Sequence, residues 1–101
     1  MELQMQAATY LINAMHDRPD RMASALWIWM LQHQRNAEQL AQHLGCDASG
    51  LERLAMATRP QPGADWEVDV EIIAISLRLR HSALRDLLAE AEQPREREFG
   101  A

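Results

Sequence analysis

One hundred and one residues, 48% of them apolar, make one small domain with a single core and leave no room for a second. Lysine is absent: all ten basic residues are arginine, and fifteen carboxylates bring the formal charge to −5, which argues against non-specific coating of nucleic acid. The longest apolar run, Met22 to Leu31, is about half of the ~20 residues that span a bilayer, no leader pattern opens the chain, and the single Cys46 excludes an internal disulfide, so a cytoplasmic protein off the membrane is expected.

The pattern is helical throughout, with glycine and proline gathered at joints. A first helix over Leu3 to Met15 places Leu3, Ala8, Leu11, Ile12 and Met15 near one face and ends at "HDRPD", because Pro19 drives its predecessor out of the helical region. A second helix, Asp20 to Gln34, sets Met22, Leu26, Trp29 and Met30 on one side with Trp27 and Leu31 beside them. Most of its circumference calls for cover, which makes it the expected centre of the fold.

Asn36 is a natural cap for a third helix, and Gln39, three residues on, completes a capping box. Leu40, Ala41 and Leu44 form its apolar face, and Gly45 stops it in a left-handed conformation that only glycine adopts cheaply. Asp47 caps a fourth helix, Ala48 to Ala57, whose inward residues are Leu51, Leu54 and Ala55. "RPQPGAD" is a loop by composition. Asp65 caps a fifth helix, Trp66 to Arg80, with Glu67 suited to its positive end and Arg78 and Arg80 to its negative end. A sixth, Ser82 to Ala91, aligns Leu84, Leu87, Leu88 and Ala91. The closing "QPREREFGA", residues 93–101, reads as a disordered tail.

From Met22 to Leu88 this layout resembles the Xre/Cro class of helix-turn-helix proteins, a lambda-repressor-like fold of five small helices. The carrying segments are "LAQHLG", "CDASGLERLA" and "DVEIIAISLRLRHSALRDLL". Ala41 is small where two motif helices would cross, Gly45 makes the turn, and Leu51 seals the second helix on the core. Cys46 stands where the class has a buried aliphatic residue and reads as a small hydrophobe. The expected architecture is an all-α, compact five-helix helix-turn-helix domain over residues 19–92, with an extra amino-terminal helix, residues 1–18, for packing or dimerisation.

The resemblance implies sequence-specific binding of double-stranded DNA in transcription regulation, with the Ala48 to Ala57 helix in the major groove. Carried over by position, the DNA-binding candidates are Ala48, Ser49, Glu52 and Arg53, with Asp47 at the cap and Arg35, Ala37, Gln39 and Arg59 near the backbone. Ser49 and Arg53 would read bases. The chain departs from the class at Ala37, where a clamping glutamine is common, and at Glu52, whose charge suits only a base amino group. Over residues 34–64 the three arginines are balanced by Glu38, Asp47 and Glu52. The alternative is the same scaffold used as a protein interaction module without DNA binding.

The fifth helix carries a second signal. At ~100° per residue, Trp66, Val70, Ile73 and Leu77 fall in one arc, while Val68, Ile72, Ile75 and Leu79 fall in another on the opposite side. One arc serves the core. Covering the second is worth roughly 1.5 to 3 kcal/mol per side chain before ordering costs. Either the amino-terminal helix folds over it, or it is an interface with a second copy or another protein.

No catalytic signature, cofactor-binding motif or metal-ligand spacing stands out. His16, His33, His43 and His81 are scattered, His43 with Cys46 is too little for zinc, and Asp69 and Glu71 point to different sides of their helix. The expectation is a protein that is not an enzyme, with no cofactor and no metal.

Overall fold

The computed structural model describes residues 2–92, with side chains from Met5 onward. The expected tail, residues 93–101, lies outside the described residues, as does the side chain of Leu3. Six helices follow one another: α1 (Glu2–Met15), α2 (Met22–His33), α3 (Ala37–Leu44), α4 (Ala48–Met56), α5 (Trp66–Leu77) and α6 (His81–Glu92). The protein is all-α; among the described residues, extended pairing is limited to one bridge between Arg21 and Thr58.

That bridge decides where α2 begins. Arg21 is extended, at φ −112° and ψ 149°, so the helix starts at Met22 and not at Asp20. The Met22 amide donates to the Ala57 carbonyl at 2.9 Å, the Arg59 amide to Asp20 at 2.8 Å, and the Arg21 guanidinium to Met56 at 3.0 Å. The start of α2 is thereby stapled to the end of α4. At the other end, Gln34 takes a left-handed conformation, and the Arg35 amide donates back to Met30.

One continuous core joins α1 to the rest through fully buried Ala8 and Ile12. Met22, Leu26 and Trp29 of α2 lie at its middle with Leu40, Leu44, Leu51, Leu54, Leu84 and Leu88. Trp27, half-buried, lies against His16 with ring centroids 4.4 Å apart. Leu31 is exposed, so α2 is covered round less of its circumference than its composition demands. The amino-terminal helix packs on α2, α3 and above all α4, and makes no packing contact with α5 among the described residues.

The fifth helix departs from expectation at both ends. Asp65 has φ −95° and ψ 4°, outside the extended geometry that side-chain capping uses, and makes no cap bond. The Trp66 amide donates instead to Gly63 within the preceding turn. The helix ends at Leu77, three residues early, because Arg78 turns left-handed at φ 58°. The Leu79 amide then donates to Ala74 and the Arg80 amide to Leu44, which ties the exit of α5 to the end of α3.

Candidate nucleic-acid interface

The α3–turn–α4 segment is built by its caps. The Asn36 side chain accepts from the Gln39 amide at 2.9 Å, while the Gln39 carbonyl oxygen accepts from the Asn36 amide at the same distance, completing the box. Gly45 is left-handed at φ 81°, and a side chain there would also meet Arg80, whose Cγ lies 3.1 Å from the site of a Cβ. Asp47 accepts from the Gly50 amide at 2.8 Å and starts α4. Ala41 is buried, as a close crossing of the two helices requires, and Leu51 and Leu54 are fully buried beneath α4.

Cys46 is half-buried against the core. Burial, aided by the adjacent Asp47 carboxylate, pushes its thiol up from 9.0 to about 11. It is a neutral, small apolar group at physiological pH, as the sequence suggests.

The outward strip of α4 is narrow. Ser49, Arg53 and Met56 are exposed and Glu52 is half-buried. Ser49 and Arg53 edge a groove of about 550 Å³, shared with Gly45, Asp47, Ser76 and Arg78. Arg80 lies over the turn at Gly45. Arg53, Arg78 and Arg80 form no ion pair among the described residues, so positive charge collects where the α3–α4 turn meets the exit of α5.

The other candidates do not join this strip. Ala48, at 7% exposure, is buried and has no surface to offer a base. Ala37 is buried too, beside a groove of about 420 Å³ between α1 and the start of α3. Arg59 is turned inward: its guanidinium donates to Ser24 Oγ at 2.9 Å, to the Ala91 carbonyl at 3.4 Å and to Glu92 at 3.3 Å. It locks the α4–α5 loop to α2 and α6 and is withdrawn from any phosphate. Arg35 and Gln39 are exposed but edge a separate depression of about 530 Å³, lined also by His33, His43, Asp86 and Glu90, away from the α4 strip.

Of the second α5 arc, Val68, Ile72 and Ile75 stay open to solvent at 54%, 54% and 69% exposure. Leu79 is the exception. The left-handed turn at Arg78 swings it into the core, where it is 9% exposed. Val70 is buried, and Trp66, Ile73 and Leu77 pack partly buried on the core, as the first arc predicts; Ala74, outside that arc, is buried beside them.

Two features escaped sequence reasoning. Trp29 is stacked by His33 and by His43, with centroids 4.7 and 5.1 Å away, and His33 Nε2 lies 2.9 Å from Glu90. The Trp29–His33 spacing of four was visible; His43 and Glu90 come from other helices. Arg80 reaches the turn only because α5 ends early. Among the described residues no three His, Cys, Asp or Glu side chains gather where they could share a metal ion, and no helix is long and apolar enough to cross a membrane. Comparison of the chain with protein-family models, with curated proteins and with solved structures finds no match in any of the three.

Proposed function

We propose that the protein is a DNA-binding transcriptional regulator of the lambda-repressor-like, helix-turn-helix kind, with α4 entering the major groove. The carrying observation is the open Ser49/Arg53 edge of α4, with Arg80, in no ion pair among the described residues, over the turn at Gly45. The capping box on α3, the left-handed Gly45 and the Asp47 cap supply the rigid presentation that such a helix needs. Ser49 and Arg53 read bases, and Arg80 holds a phosphate. Arg35, Gln39, Ala48 and Arg59 take no part, and Glu52 stands at the margin.

Selection from random duplexes tests this reading. One enriched motif is expected, bound less tightly as salt rises, with Arg53→Ala weakening it roughly 10- to 100-fold, the range of one good base contact. Selection that returns no motif, with binding indifferent to Arg53, overturns it. A second reading, a protein interaction module without DNA binding, is favoured by the open Val68, Ile72 and Ile75 row together with the net charge of −5.

A further inference from the structure

The exit of α5 holds a residue that its backbone does not favour. Arg78 is left-handed, at φ 58° and ψ 47°, a conformation that costs an ordinary side chain strain and that glycine adopts freely. Strain by itself assigns no role, because Gln34 at the end of α2 is left-handed as well, at φ 53°. The setting of Arg78 is what sets it apart. It lines the groove of about 550 Å³ together with Ser49 and Arg53 of α4. Had α5 run on, Arg78 and Arg80 would lie ~200° apart around the helix. After the left-handed turn they border one opening, Arg78 in its wall and Arg80 against Gly45, with Cγ 3.1 Å and Nε 3.2 Å from the site of a Cβ there.

Arg53, Arg78 and Arg80 are all exposed and in no ion pair among the described residues. Asp47, which also lines the groove, has one carboxylate oxygen engaged by the Gly50 amide at 2.8 Å. Three guanidinium groups face one carboxylate, so positive charge is in excess here although the chain as a whole is at −5. Resting on the DNA-binding reading of α4, we propose that Arg78 is a phosphate-contacting residue, which with Arg80 clamps the phosphodiester backbone beside the Ser49/Arg53 edge. Guanidinium groups suit that ligand, since each can present two donors to one phosphate. The position that stability alone would give to glycine is held by an arginine for the contact it makes.

The test is fluorescence anisotropy of the full chain on two labelled duplexes over a salt series, one carrying the selected motif and one of the same length and mixed sequence, with thermal melting of each variant alongside. Arg78→Gly is expected to weaken binding to both duplexes about 3- to 10-fold and to make the salt dependence shallower by about one phosphate, while melting no lower than wild type, because glycine relieves the left-handed strain. Arg78→Lys keeps the charge and regains most of the binding. Arg35→Ala removes the same charge from an exposed arginine away from the α4 strip and changes neither affinity nor salt dependence. Binding by Arg78→Gly equal to wild type, or weakened no more than by Arg35→Ala, overturns the proposal. A loss confined to the motif duplex overturns it by making Arg78 a base reader, and a lower melting temperature of Arg78→Gly overturns the exchange of stability for contact. A selected motif whose salt dependence ignores Arg78 sinks the clamp and leaves the reading of α4 standing. No selected motif, with mixed-sequence binding that still loses one phosphate in Arg78→Gly, sinks sequence-specific recognition and leaves the clamp; a wild type that binds neither duplex sinks both.

Discussion

Helices α2 and α5 are both twelve residues long and both carry apolar side chains around most of their circumference, yet they meet different fates. Four helices, α1, α3, α4 and α6, pack on α2 and bury six of its residues. Among the described residues only α4 and α6 pack on α5, and two of its residues are buried. The contrast separates two quantities that composition merges. Apolar content states how much cover a helix demands, whereas position in the chain's path decides how much it receives. In α5 the shortfall is confined to three neighbouring side chains, Val68, Ile72 and Ile75.

The contrast can be broken most directly with paired truncations. Leu26→Ala, at a fully buried position in α2, is expected to lower the unfolding free energy by about 2–5 kcal/mol, whereas Ile75→Ala at an exposed position on α5 stays within about 0.5 kcal/mol. Chemical denaturation followed by circular dichroism compares the two; equal losses would mean that both helices are equally covered.

Arg59→Met sharpens it at the next level. Its guanidinium ties the loop before α5 to α2 and α6, so its removal is expected to cost about 1–3 kcal/mol of stability by the same measurement, leaving Ser24 and Glu92 short of a partner. A phosphate-contacting arginine would cost affinity for DNA and leave stability alone.

The smallest effect concerns the tether of α5 itself. Arg85 of α6 grips Glu67 with both ends of its guanidinium, at 3.0 and 2.8 Å, and holds that carboxyl below its ordinary 4.5. A carboxyl depressed in the folded state adds stability above its unfolded pKa and loses it as pH falls through the lower folded value. Wild type is therefore expected to lose stability more steeply below pH 4.5 than Glu67→Gln, with the two curves parallel at neutral pH. The pair is exposed, so the difference is small.

What the sequence disclosed about this molecule was mainly local. The capping box at Asn36 and Gln39, the left-handed stop at Gly45 and the Asp47 cap depend on residues within four positions of one another, and each is where spacing puts it. The inward arcs of α3, α4 and α6 follow from a single period. The early end of α5 did not show, because Arg78 is an uncommon residue for a left-handed turn: the closing bond from Leu79 to Ala74 is local, but the one from Arg80 to Leu44 comes from another helix. That one turn moved Leu79 from the outer row into the core and brought Arg80 over Gly45. The inward turn of Arg59 was hidden for the same reason, since Ser24 and Glu92 lie more than thirty residues away in either direction. Helical period placed Ala48 and Ser49 side by side on α4, but only the packing of neighbouring elements decided that one would be covered and the other bare.

The staple between Arg21 and Thr58 has a bearing on recognition. With its first turn held by Asp47 and its last turn fastened to the head of α2, the fourth helix is gripped at both ends and has little freedom to roll or tilt. Any ligand meets an edge already set in its final pose, so little ordering entropy is spent at encounter. Under the proposed reading, discrimination would reside in the identities of Ser49 and Arg53, which are exposed and can be exchanged without disturbing the scaffold that carries them.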